Sequence, residues 1–384
     1  MEAYFDNSAT TKVLDSVKDI VVKTMTEDYG NPAAKHRRGM EAEQYIRDAK
    51  RILADTLKVQ EREILFTSGG SESNNMALIG TAWANKRAGK HIISTSIEHP
   101  SVYNPLGVLE ELGFEVTILP VDHDGHISLK ELEEAIRPDT ILVSTMYVNN
   151  EVGAVEPVEE ISKVIKTKNP STLYHVDAIQ AYGKYVIRPK KQGIDLLSVS
   201  GHKIHGPKGV GFLYIRSGVK IKPLIYGGGQ QAGLRSGTEN VPGAAGLGVA
   251  AKEMYTDHAA KIQKLTELKD YMTDRLGEIE GTVVNSKKGA DSAPQIVSVS
   301  FEGVRSEVLL HALEDKNIYV SSGSACSSNH PGISGTLKGI GVSQKLLDST
   351  IRMSFSLFNT KEEIDYTIDV LKELVPVLRR YQRG

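Results

Sequence analysis

At 384 residues the chain is too long for one comfortable core, so two domains are expected, and its 40% apolar and 24% charged content is ordinary for a folded protein. Its 46 Lys and Arg nearly balance 48 Asp and Glu, a net charge of −2, which argues against a nucleic-acid binder that works by neutralising phosphates. The opening "MEAYFDNSAT" has no apolar signal region, no stretch is apolar enough to span a bilayer, and the one cysteine, Cys326, can form neither an internal disulfide nor a cysteine-based zinc site. A reducing cytoplasm is therefore expected, with no membrane and no direct nucleic-acid partner.

Short apolar β-type runs then alternate with helical patterns. "REILF" (62–66) precedes a polar turn and a helix-like "NNMALIGTAWANK". Further strands are expected at "KHIIST" (90–95), "FEVTIL" (114–119), "TILVSTMYV" (140–148), "TLYHV" (172–176), "DLLSVS" (195–200) and "GVGFLYI" (209–215). Ser128 and Glu131 have capping-box spacing and open one of the helices between them. This alternation means an α/β fold, a mostly parallel sheet with helices on both faces. Beyond about residue 250 the pattern changes. A long charged helix over roughly 250–278 leads to "QIVSVSF", a helix at "SEVLLHALEDK", then "NIYVSS", "STIRMSFS" and a last helix opened by a second capping box, Thr360 and Glu363. The expected division is a large domain over 14–250 and a small α/β domain made of 1–13 and 251–384.

Five polar clusters follow predicted strands: "TSGGSES", "SIEH", "NNEVG", "DAIQ" and "GHK". In an open parallel sheet the carboxyl ends of strands share one edge, and ligands bind in the crevice outside it. Each cluster alone has a plain explanation. Ser71 in "TSGGSES" can cap a helix, or the loop can cradle a lone phosphate with backbone N–H groups, since it lacks the lysine of a P-loop and the spacing of a dinucleotide fingerprint. Asp177 can cap a helix, and His99 can be a loop histidine bonded to backbone.

Together they suit one cofactor class. A pyridine ring bearing a phosphate and an aldehyde needs a phosphate cradle, a carboxylate to keep the ring nitrogen protonated, and a lysine for the aldehyde. Lys203 in "SVSGHKIHGPKG" supplies the lysine, Asp177 the carboxylate, and His99 an imidazole that can stack on the ring. Ser200 and His202 are placed to bond the phosphate, where nearby glycines let the backbone approach closely. In an electropositive, partly desolvated site such a lysine has a lowered pKa and serves as nucleophile and base.

"YHVDAIQ", "SVSGHKIHGPKGVG", "RSGTEN" and "SSGSAC", with "YFDNSATT", "GNPAAKH" and "IRMSFSLF", resemble the NifS-like cysteine desulfurases, pyridoxal-phosphate enzymes of the class-V aminotransferase group. The likeness runs over essentially the whole chain. It implies a fold-type I homodimer, its large domain built on a mostly parallel seven-stranded sheet and its site at the subunit interface. It further implies that Lys203 holds pyridoxal 5'-phosphate, Asp177 bonds the pyridine nitrogen, His99 stacks and assists proton transfers, and Gln180 bonds the ring hydroxyl. Gly70, Ser71, Ser200 and His202 hold the phosphate, and Thr238 reaches in from the other subunit. Asn150, also a cofactor contact, and Arg352 face the substrate carboxylate, which a guanidinium fork pairs bidentately.

Cys326, in the small-residue run "SSGSACSSNHPGISG", is either a buried free cysteine or the thiolate nucleophile that separates desulfuration from transamination. Two departures from the family pattern stand out. Ser71 replaces a common threonine, keeping the hydroxyl, and "NHPGISGT" differs after the cysteine, which bears on acceptor docking rather than chemistry. The implied reaction converts L-cysteine to L-alanine and leaves a persulfide on Cys326 for an iron–sulfur scaffold or a tRNA-thiolation enzyme. No resident metal is expected, though Cys326 could bridge to a transferred iron–sulfur cluster. Other readings are a selenocysteine lyase or cysteine-sulfinate lyase on the same cofactor, which need Cys326 less, and a non-enzymatic scaffold with a decayed site.

Overall fold

The structure, a computed structural model, describes residues 1–289, 292–322 and 334–381. Seven strands form the large sheet in the order Ile64–Thr67, Gly211–Ile215, Leu196–Ser200, Leu173–Asp177, Thr140–Met146, His91–Thr95, Glu115–Leu119. Gly211–Ile215 runs antiparallel to both neighbours and the other pairings are parallel, so six strands point one way. The interior strands are apolar runs buried along their length, as a sheet covered on both faces requires. Glu115–Leu119 is half exposed because it lies at an edge.

Helices cover the sheet on two sides, and two apolar clusters record this. One joins Ile46, Leu53, Val143, Val176, Phe212 and Leu247, the other Leu65, Leu78, Ile92, Leu106 and Leu213. The helix expected after "TSGGSES" forms over Gly70–Asn75 and Thr81–Asn85, with wider π-type turns over Met76–Gly80 between them.

The smaller C-terminal domain packs helices on a four-stranded antiparallel sheet, in the order Ser321–Ser322, Thr350–Ser354, Ile296–Phe301, Thr282–Val284. Its own core joins Leu268, Met272, Phe301, Ile351 and Leu371 with Phe5, because Ala3–Tyr4 pairs with Ile318–Tyr319. The last helix is capped reciprocally, Glu363 N donating to Thr360 Oγ1 at 3.3 Å and Thr360 N to Glu363 Oε2 at 3.0 Å.

One expectation is corrected. The single helix read over 250–278 is two, Val241–Tyr255 and His258–Leu276. Asp257 between them has φ 48°, a left-handed conformation that ends the first helix and that Asp tolerates better than most residues. Among the described residues no helix is long and apolar enough to cross a membrane.

Candidate active site

A cavity of about 400 Å³ lies at the carboxyl edge of the large sheet. Gly70, Ser71, His99, Asn150, Asp177, Gln180, Ser200, His202, Lys203 and Arg352 all line it. The sequence suggested each of these, and the large sheet brings together all but Arg352, which comes from Thr350–Ser354 of the four-stranded antiparallel sheet. Thr238 is exposed and does not line this cavity. Cys326 lies outside the described residues, but Ser321, on the strand ahead of it, lines the cavity.

The strand Ile64–Thr67 ends in a turn built on glycine. Gly69 has φ 148°, and a Cβ on Gly70 would lie 2.2 Å from Ile179 Cδ1. A side chain at either position would disturb this turn. The following helix therefore presents its first N–H groups to the cavity edge, where an anion is favoured.

Beneath the cavity four side chains form a chain of hydrogen bonds. Asp177, at the end of its strand, accepts from Ile179 N at 3.0 Å and from Asn74 Nδ2 at 2.8 Å. Asn74 Nδ2 also lies 2.9 Å from Ser101 Oγ, which is 2.8 Å from His99 Nδ1. Burial raises the Asp177 carboxyl, against the lowering effect of these bonds and of His99 and Lys203. A cation set beside it in the cavity would relieve that penalty.

His99 bonds the backbone, as a loop histidine can, and also lines the cavity. Its Nδ1 accepts from Ser101 N at 3.0 Å and caps the helix Pro100–Glu111, while its ring lines the cavity. Accepting at Nδ1 assigns the proton of the neutral ring to Nε2. Burial holds the imidazole below its ordinary pKa, so the neutral form prevails at neutral pH.

Lys203 closes a short turn, Gly201–Lys203, after the strand Leu196–Ser200. Its Nζ donates to the main-chain oxygens of Ser8 at 2.5 Å and Ala9 at 2.8 Å. Gln180 Nε2 donates to the same Ser8 oxygen at 3.0 Å. His202 is pulled down to about 4 by burial and by Lys203, Lys208 and Lys184, so it stays neutral. Arg352 donates to Asn150 O at 2.8 Å and to Asp6 Oδ1 at 2.9 Å, and its Nε is buried without a partner among the described residues.

Sequence reasoning missed Asn74, Ser101 and the segment Asp6–Ala9. Asn74 sits one helical turn beyond Gly70, a spacing that puts both on one helix face and could have marked it. Nothing local marks Ser8 or Ala9, whose backbone oxygens do the bonding.

The motif order, the sheet and this constellation point to one family, and the comparisons agree. The class-V aminotransferase family model matches residues 3–367. The chain belongs to the class-V aminotransferase family. It is 41% identical over 378 residues to a protein named cysteine desulfurase IscS from Dictyoglomus turgidum, covering 98% of this chain and 95% of that one. It is 44% identical over 376 residues to the protein of that name from Methanosarcina thermophila, covering 98% and 92%. A solved structure titled NifS-like protein superposes with TM-score 0.93 at 39% identity, covering 98% of this chain and all of that one.

Proposed function

We propose that this class-V aminotransferase family member is a cysteine desulfurase: it converts L-cysteine to L-alanine and leaves the sulfur as a persulfide on Cys326. The observation that carries the reading is the single cavity shared by Lys203, Asp177, His99 and Arg352. The donor set fits pyridoxal phosphate. A helix start where a Cβ at Gly70 would press on the Ile179 side chain suits the phosphate, and a buried carboxylate held by Asn74 and the Ile179 N–H suits the ring nitrogen. When bound, the cofactor supplies an aldehyde that captures amines and a ring that takes up the electron pair left on Cα.

The chain's own groups do the rest. Asp177 keeps the ring nitrogen protonated, and Asn74 holds Asp177 in place. His99, oriented by Ser101, covers the ring face. Gly70, Ser71, Ser200 and His202 hold the phosphate, with the partner's Thr238 added in a homodimer, and Gln180 and Asn150 complete the cofactor contacts. Arg352 binds the substrate carboxylate and fixes which bond at Cα faces Lys203. Lys203 removes the Cα proton and returns one. The Cys326 thiolate attacks the substrate sulfur, an S–S bond forms as the C–S bond breaks, and the carbon left behind is protonated, so cysteine plus enzyme thiol becomes alanine plus enzyme persulfide.

The division into 14–250 and 1–13 with 251–384 belongs to this reading; the core that Phe5 shares with Met272 and Phe301 supports its N-terminal part, while Ala251 and Met254, at the end of Val241–Tyr255, pack in the core of the large sheet. So do a reducing cytoplasm and a sulfur-accepting protein partner.

The test is alanine production from L-cysteine. Purified protein should be yellow, borohydride should fix the cofactor to Lys203, and Cys326→Ser should keep the cofactor yet lose nearly all alanine formation. Full activity toward cysteine in Cys326→Ser would shift the reading to a lyase that needs no thiol.

A further inference from the structure

Lys184 is a buried cation that the chemistry above leaves unused. It is 8% exposed, and its Nζ donates a 2.6 Å hydrogen bond to the main-chain oxygen of Lys203. The charged neighbour that acts on it is another cation, Lys203, and burial with that neighbour brings its amine down to about 7. Among the described residues no carboxylate pairs with it, which is costly for a buried ammonium, and its bond goes to the residue the reaction turns on.

Behind the two lysines is a small cavity of about 10 Å³, the size of one water. Lys184, Lys203, Ser8, His205 and Gln295 are among its lining residues. Gln295 Oε1 and Ser8 Oγ are buried with no hydrogen-bond partner among the described residues. A water bonded to such groups satisfies both them and the remaining N–H bonds of an ammonium.

We propose that Lys184 is a positioning residue for Lys203, holding its main chain through the carbonyl oxygen, keeping positive charge off its side-chain nitrogen, and joined to Gln295 by one water in the cavity. This rests on Lys203 being the cofactor lysine. The two amines repel, so a charged Lys184 favours a neutral Lys203 nitrogen. Of the other titratable groups nearby, His202 and His205 are held at about 4 by burial and His99 is lowered too, so none of them offsets that charge, while the Asp177 carboxyl acts on Lys203 in the opposite sense. Lys184 does not line the substrate cavity, so the effect falls on turnover and not on substrate affinity.

The experiment uses the full-length, cofactor-loaded protein and its Lys184→Met and Lys184→Gln variants. The pH at which the visible band of the bound cofactor titrates, without substrate, should rise by about one unit or more in both variants. The kcat should fall while KM for cysteine holds. An unshifted titration in either loaded variant overturns the proposal. Should the variants fail to fold, a high-resolution crystal structure of the loaded native protein decides: Lys184 Nζ bonded to the Lys203 oxygen and to a water beside Gln295 supports it, and Nζ turned elsewhere overturns it. Borohydride labelling of a lysine other than Lys203 in the native protein would instead sink the underlying reading.

Discussion

Asn74 donates a 2.8 Å hydrogen bond to Asp177 from the first turns of a helix that starts at Gly70. The same amide nitrogen reaches Ser101, the partner of His99, so one side chain couples the carboxylate expected under the ring to the imidazole expected above it.

Removing that bond should loosen the cofactor. In Asn74→Ala, Asp177 keeps one hydrogen bond among the described residues, from the Ile179 N–H, and the dissociation constant for pyridoxal phosphate should rise on the order of 10–100-fold, the range for a lost bond to a charged group. Equilibrium dialysis against the cofactor measures this. Unchanged affinity would mean that Asn74 only packs.

Arg352 already holds a carboxylate, Asp6, at 2.9 Å in a largely buried pair. If Arg352 binds the substrate carboxylate as proposed, substrate competes with Asp6. Arg352→Lys, which loses the planar fork, should raise KM for cysteine by roughly 30-fold or more. Asp6→Asn should lower KM a few-fold, because a neutral amide competes less. Steady-state kinetics on both variants tests the pair, and shifts in the same direction would refute the competition.

Thr238 is exposed while its loop is tied down nearby: Arg235 pairs with Glu72 at 3.0 Å, and the Gln231 amide bonds both backbone groups of Phe66 at 2.7 and 2.8 Å. If Thr238 serves the partner's site, mixing Lys203→Ala chains with Thr238→Ala chains should give heterodimers with one undamaged site. Alanine formation should then recover to a fraction of the native rate. No recovery in verified heterodimers would mean that Thr238 acts within its own chain.

Buried histidines set the acid limit. His202 and His205 are held at about 4 and His175 at about 3, all chiefly by burial, against 6.5 when unfolded. Their folded pKa values are depressed, so the unfolded chain takes up protons first as pH falls. Their contribution to stability is full above about 6.5 and is lost as pH falls from there toward 4, in the sense opposite to a buried carboxyl such as Glu98. Melting temperature should therefore fall less between pH 6.5 and 4.5 in His205→Gln than in the native chain, and an equal fall in both would contradict it.

Glu98 acts in the opposite range. Burial lifts its carboxyl to about 8, and Oε2 has no partner among the described residues, while Oε1 accepts from Thr95 Oγ1 and Met146 N. Between 4.5 and 8 unfolding releases its proton, so stability declines as pH rises through that interval. Glu98→Gln copies the protonated shape without that linkage. It should raise the melting temperature by about 2 °C or more at pH 8 and change it little at pH 5. An equal gain at both pH values would rule out ionisation as the cause.

The rim was legible in the sequence because it obeys a local rule. Each motif follows an apolar run, and strands that run parallel carry their carboxyl ends to one edge, so Lys203, Asp177, His99 and the Gly70 turn could be grouped without coordinates. The reciprocal cap of Thr360 and Glu363 was legible for the same reason, since its partners are three residues apart. The break at Asp257 was not, because a polar run that can continue a helix gives no local sign of a left-handed residue. Only the tertiary structure could decide the rest. Lys203 bonds backbone oxygens 195 and 194 positions away, Arg352 bonds a carboxylate 346 positions away, and Asn74 meets Asp177 across 103. Such bonds leave no spacing or periodicity in a sequence. They exist because an N-terminal strand pairs with the small domain and carries Asp6, Ser8 and Ala9 into the cavity that the large sheet opens.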